Sequence, residues 1–233
     1  MKVLAIDCSA KSVSAAIADN GRLIAEGFLN IKLTHSETLM PIINQVLENS
    51  RLTLKDIDAF AVTAGPGSFT GIRIGISAIK GMAFADEKPV YAFSTLDSMA
   101  LAFNGDLSFE KIICGLMDAR RNQVYTAIYK NGVRQTEDML IPCDELKEML
   151  KEYDCPIYFT GDGYDLAKKL IDLPGVVDTP VRLRLQSAVS VALEGIKCYN
   201  ENKNIFTDTE VMPIYLRASQ AERERLERIQ NNE

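Results

Sequence analysis

Two stretches of this chain repeat each other, and the repetition narrows its fold more than any other feature. Val3 to Arg22 aligns with Cys114 to Val133 at an offset of 111 residues. Asp7 falls on Asp118, Val13 on Val124, Ala16 on Ala127, Ile17 on Ile128, and Asn20-Gly21 on Asn131-Gly132. Each copy reads as a buried strand ending in aspartate, a second strand, Asn-Gly, then a third strand. Asn-Gly is a strong hairpin signal because a type I′ turn needs positive φ at both central residues. A second echo follows in the same order. Phe60 to Gly67 and Ile157 to Gly163 both run strand, Gly-x-Gly turn, helix. Strands alternating with helices predict an α/β protein of two similar halves, each a mixed sheet with a β-hairpin and flanking helices.

The expected boundaries are 1–104 for the first domain and 105–216 for the second, with Asn104-Gly105-Asp106 between them. Residues 217–233 are expected as a charged helix that either packs back on the first domain or is partly disordered. In the first half, Ser36 to Asn49 carries apolar residues at helical spacing, with Ser36 as the cap. Thr70 to Ala85 is a second helix, entered from a strand at Ala59 to Thr63. In the second half, helices are expected at Cys143 to Tyr153, Asp162 to Leu170 and Gln186 to Tyr199.

The junction Ala64 to Gly75 reads Ala-Gly-Pro-Gly-Ser-Phe-Thr-Gly-Ile-Arg-Ile-Gly. A Gly-rich turn feeding a helix N-terminus presents backbone N–H groups and the positive end of the helix dipole, which suits an anion. Asp7, Gly65, Gly67, Ser68 and Thr70 are therefore the candidate nucleotide or anion contacts. The glycines continue into the helix, where each costs about 1 kcal/mol relative to alanine. Close approach of another helix would explain them. Gly71, Gly75, Ala78, Met82 and Ala85 form one stripe; Ile72, Ile76, Ile79 and Ala83 form another. One stripe should meet the protein's own sheet. The other needs cover, from a flanking helix or from a partner. The expected interface joins Gly71, Ile72, Gly75, Ile76, Ile79 and Met82 to Leu39, Ile43 and Leu47 of the preceding helix, making a four-helix contact between two subunits.

The net charge of −6 argues against this chain gripping a nucleic acid unaided. The five cysteines are scattered, with no CxxC pair, and are expected as reduced thiols. No secretory leader precedes the first strand, and no apolar run reaches the ~18 residues of a membrane span, so a cytoplasmic protein is expected. There is one histidine, His35, so a His-x-x-x-His metal pair cannot be built. No other ligand cluster with suitable spacing is visible, and no metal site is expected. There is no Gly-x-Ser-x-Gly elbow, which counts against a serine hydrolase.

Five segments together resemble the TsaB (YeaZ) family of the actin/Hsp70/sugar-kinase superfamily. They are Lys2-Val-Leu-Ala-Ile-Asp-Cys-Ser9, His35-Ser-Glu37, Gly65 to Gly75, Asp118-Ala-Arg120 and Pro213-Ile-Tyr-Leu-Arg217. The resemblance implies two duplicated actin-like (ribonuclease H-like) domains. It also implies a non-catalytic subunit with no catalytic residues of its own. Such a subunit pairs with a catalytic paralogue, TsaD, which carries the His-x-x-x-His metal, and an ATPase, TsaE, completes the assembly. The complex moves a threonylcarbamoyl group from threonylcarbamoyl-AMP to a tRNA adenosine, so tRNA is met only through the complex. Alone, the family forms a homodimer through the same helices. No intrinsic cofactor is implied; ATP or ADP with magnesium belongs to the complex. The alternative is a nucleotide-binding ATPase or small-molecule kinase of the same superfamily. Against it, neither Asp7 nor Asp118 continues into the Gly-Thr or Gly-Gly turn of active kinases. The sequence assigns no partner to Arg73.

Overall fold

The computed structural model describes residues 1–103, 109–203 and 205–217. The first half runs β1 (Lys2–Asp7), β2 (Val13–Asp19), β3 (Arg22–Leu29), α1 (His35–Ser50), β4 (Ala59–Gly65), α2 (Phe69–Phe84), β5 (Val90–Ser94) and α3 (Thr95–Leu101). The second runs β6 (Ile112–Asp118), β7 (Gln123–Lys130), β8 (Val133–Arg134), β9 (Met139–Pro142), α4 (Cys143–Leu150), β10 (Ile157–Thr160), α5 (Tyr164–Leu170), β11 (Val176–Val177), α6 (Ala188–Glu201) and β12 (Ile205–Phe206). Apart from β9 and β12, the two element orders match, as the repetition predicts. Both hairpin turns have the positive φ that Asn-Gly announced: 48° and 81° at Asn20-Gly21, 51° and 78° at Asn131-Gly132.

The first sheet has the order β12-β5-β4-β1-β2-β3, and the second β11-β10-β6-β7-β8, with β9 also on β7. In each, the first strand lies between an antiparallel hairpin partner and a parallel strand from the Gly-x-Gly corner. Strands buried on both faces need cover on both. The first sheet puts Leu4, Ile6, Ile17, Phe60 and Val62 against α1 and α2. Its other face is Val3, Ala5, Ala16, Ala18, Ala59 and Ala61, and the cover there is α6. The alanines let the helix come close: a Cβ on Gly195 would lie 3.2 Å from Ala61 and from Val3.

The expected boundary, Asn104-Gly105-Asp106, lies outside the described residues, and helix packing crosses between the halves on either side of it. Helix α6 and strand β12, expected in the second domain, complete the first sheet. Conversely Leu96, Met99 and Ala100 of α3 pack on Ile113, Met117, Ala127 and Tyr129 of the second sheet. The third helix of each half has crossed to the other. Polar contacts pin both crossings. The Ser14 hydroxyl accepts from the Ala188 N–H (2.9 Å), fixing the start of α6 on β2. Arg134 of β8 pairs with Asp97 of α3 (2.9 Å) and with Asp138 (2.7 Å). The expected tail helix from Ala218 onward lies outside the described residues. Among the described residues no helix is long and apolar enough to cross a membrane.

Candidate functional site

A cleft of about 1020 Å³ opens between the halves. One wall is the turn after β1 (Ser9 to Lys11) with the start of α2 (Gly67 to Thr70, Arg73). The other is the turn after β6 (Asp118 to Arg120) with Asp162. Of the five residues expected to meet an anion, Gly67, Ser68 and Thr70 line it. Asp7 and Gly65 do not.

The glycines are explained by backbone meeting backbone. A Cβ on Gly67 would lie 2.3 Å from the Ser9 carbonyl oxygen, and one on Gly71 would lie 2.0 Å from that of Cys8. The Ser68 N–H donates to the Ser9 carbonyl (2.7 Å), and the Gly71 N–H donates to the Ser68 hydroxyl (3.2 Å). The Gly-rich turn is thus folded down onto the end of β1. These two donors serve the protein itself and are not held ready for phosphate. The second half repeats the device: a Cβ on Gly161 would lie 2.0 Å from the Leu116 carbonyl oxygen.

The expected interface residues are corrected by the same packing. Leu39, Ile43, Leu47, Ile72, Ile76, Ile79 and Met82 are all buried in the protein's own core beneath α1 and α2. Gly71 and Gly75 are buried too, and Gly75 faces Cys8. The stripe Ile72, Ile76, Ile79 and Ala83 points inward, and so do Gly71, Gly75 and Met82 of the other, whereas Ala78 is half-buried and Ala85 exposed. The outer face carries Ser77, Gly81 and Phe84, the last 72% exposed, with Ala78 half-buried beside them. On α1 it carries Met40, Pro41 and Asn44.

Residues Pro213 to Arg217 form a strap over the Gly-rich turn. The Ile214 N–H donates to the Ala64 carbonyl (2.7 Å), and the Ile214 carbonyl occupies the space a Cβ on Gly65 would need. Tyr215 stacks on Phe69 with ring centroids 4.4 Å apart. Arg73, unassigned from sequence, donates from Nε to the Tyr215 hydroxyl (2.7 Å) and sits beside both rings. Arg217 then crosses to the second half, donating to the Ala119 carbonyl (3.0 Å) and to Gln123. Nothing local in the sequence signals these contacts, which join positions 142 residues apart at Arg73 and Tyr215.

The strand-end aspartates differ. Asp7 is buried; its Oδ1 accepts from the Ser9 N–H (2.9 Å) and hydroxyl (2.7 Å), while Oδ2 has no hydrogen-bond partner. Burial pushes its carboxyl above the usual range, against the pull of the Ser9 donors. Asp118 is exposed and accepts from the Arg120 N–H (2.7 Å). Sequence reasoning passed over Asp162, which half-buries in the cleft and accepts from the Asp118 N–H (3.1 Å). Burial raises its carboxyl as well, and Lys11 opposes the rise. Its place within the Gly-x-Gly echo was the available signal.

The turn between β6 and β7 is unusual. Arg120, Arg121 and Asn122 all have positive φ, at 64°, 54° and 58°. A non-glycine residue there costs about 1–2 kcal/mol, and arginine gains no local compensation of the kind asparagine finds. His35 opens α1, and its Nε2–H donates to the Ser12 carbonyl (3.2 Å). The helix cap is Thr34 and not Ser36: the Glu37 carboxylate accepts from both the Thr34 N–H (3.0 Å) and its hydroxyl (2.6 Å). Among the described residues no group of three His, Cys, Asp or Glu side chains is placed to hold a metal ion.

A family model described as TsaD, tRNA N6-adenosine threonylcarbamoyltransferase, matches residues 30–222. The chain is 36% identical over 176 residues to tRNA threonylcarbamoyladenosine biosynthesis protein TsaB of Bacillus subtilis, covering 74% of this chain and 76% of that one. The Escherichia coli TsaB is 30% identical over 223 residues, 93% of this chain and 95% of that one. The chain belongs to the TsaB family. YeaZ from Pseudomonas aeruginosa has the same fold, with a TM-score of 0.76, 25% identity, and coverage of 92% of this chain and 99% of that one. The two-sheet α/β architecture read from the repetition is thus shared with YeaZ.

Proposed function

We propose that this chain acts in tRNA threonylcarbamoyladenosine biosynthesis as the non-catalytic subunit that supports a catalytic paralogue of the TsaD type. The observation that carries the reading is the ligand inventory. The sequence has one histidine, and its ring is tied to the Ser12 carbonyl. The metal pair that the resemblance assigns to TsaD therefore has no counterpart here. The chain brings no cofactor of its own, and any ATP or ADP with magnesium belongs to the assembly with TsaE. Transfer RNA is reached through that assembly, and the isolated chain forms a homodimer.

The partner surface is the outer side of α1 and α2. The inward residues carry the fold, which leaves Met40, Pro41, Ser77, Gly81 and Phe84 for a facing helix. Small residues among them permit close helix approach. Co-purification with the paralogue, followed by a tRNA modification assay with and without this chain, tests the reading. Modification should require both proteins, and the chain alone should not turn over ATP with magnesium. Robust turnover by the isolated chain would overturn it in favour of an ATPase or kinase.

A further inference from the structure

We propose that the mouth of the cleft is an RNA-backbone contact, formed by Lys11 and Lys32 of the first half with Arg120 and Arg121 of the second. This rests on the function proposed above and assigns that function a surface on this chain.

The first observation is charge. The protein has a net charge of −6, yet five cations line this cleft (Lys11, Lys32, Arg73, Arg120 and Arg217) against two carboxylates, Asp118 and Asp162. Arg73 and Arg217 are held by the strap. Lys11, Lys32, Arg120 and Arg121 are exposed and make no ion pair among the described residues.

The second observation is a comparison within the molecule. Two hairpin turns of this chain use Asn-Gly, which tolerates positive φ. The turn after β6 keeps two arginines in that conformation instead, Arg120 lining the cleft and Arg121 exposed next to it in sequence. Glycine would be easier there, so the side chains are what the turn retains.

The third observation separates a polymer from a mononucleotide. Both lining carboxylates, Asp118 and Asp162, lie together on one wall of the cleft, where phosphates would be repelled. The Ser68 N–H at the glycine turn is engaged by Ser9. Lys11, Lys32 and Arg120 are exposed on loops of both halves that line the cleft. A polyanion lying across its opening meets them without entering between the two carboxylates. Beside them, the Phe69–Tyr215 stack, with Tyr215 38% exposed, offers a face for an unpaired base.

The test uses the assembled complex and a labelled tRNA transcript, titrated over a series of salt concentrations. The variant is Arg120→Gly with Arg121→Gly, which removes both charges and also relaxes both backbones. Its unfolding midpoint should be unchanged or higher, and co-purification with the paralogue unchanged. Affinity for the transcript should fall about 10-fold, and the slope of log K against log salt should shrink by about 1–2, since each phosphate contact contributes roughly 0.7–0.9. Lys55→Glu with Lys169→Glu, exposed cations away from the cleft, should change neither. Unchanged affinity and slope in the arginine variant would overturn the proposal. So would a mononucleotide site, seen as magnesium–ADP binding lost in that variant while transcript affinity holds. If the wild-type complex does not assemble, the scaffold reading fails by itself. The isolated chain titrated with the same transcript then decides the cleft by the same two slopes.

Discussion

Asp7 and Asp118 end equivalent strands, yet one is buried under the Gly-rich turn and the other faces the cleft. In both halves glycines of the corner pack against carbonyls of the first strand or of the turn after it. Gly67 and Gly71 press on the Cys8 and Ser9 carbonyls, as Gly161 presses on the Leu116 carbonyl. The difference teaches that the repeated corner is kept for how main chain packs on main chain, while its side chains are free to diverge. In the first half the corner has closed over its aspartate and been strapped shut by Pro213 to Arg217. In the second it stays open and carries exposed arginines.

The strongest way to break this comparison is at the glycines. Gly71→Ala and Gly161→Ala should each lose about 3 kcal/mol of stability in chemical denaturation, because a methyl group meets a carbonyl oxygen at 2.0 Å in both. Equal losses support a shared packing role; a large loss in only one half would refute it.

The aspartates should separate the halves. Asp7 has a folded-state carboxyl raised by burial, so its contribution to stability is fully present below the ordinary value of 3.8 and is lost as pH rises through the folded value. Asp7→Asn should therefore be as stable as the parent or more so at pH 7, with a flatter stability profile from acid to neutral pH. Asp118→Asn, exposed, should change stability by less than about 0.5 kcal/mol at neutral pH. Matching pH profiles for the two variants would remove the distinction.

The smallest effect is at Gly81, on the outer face of α2 with nothing within 4 Å. Gly81→Ala should gain about 0.5–1 kcal/mol from helix propensity. A loss would mean that this glycine, like Gly71, is packed.

The element order and both Asn-Gly hairpins were legible because they rest on local periodicity and turn chemistry, while the actin-like class came from the family resemblance of five segments. The helix expected at 36–49 spans 35–50, and the one expected at 70–85 spans 69–84. What misled was the meaning of the α2 glycines. Their spacing announces a close neighbour but not which one, and the neighbour is the end of β1 rather than a partner helix. The exchange of α3 and α6 was also invisible. An amphipathic helix states that it needs a sheet, and alanine-rich strands state that they need a close helix. Neither names the other, and α6 lies more than 100 residues from the alanine strands it covers. Arg73 and Tyr215 failed for the same reason.

The crossing of α6 bears on how the chain comes into being at the ribosome. Domains commonly fold as they emerge, amino-terminal first. Here β1, β2 and β4 are synthesised early, but the helix that covers their alanine face begins at Ala188. The strap that closes their Gly-rich corner comes later still. A nascent first half therefore waits, with one side of its sheet bare, until residues 188–217 have been made. The molecule has two repeats but a single act of completion.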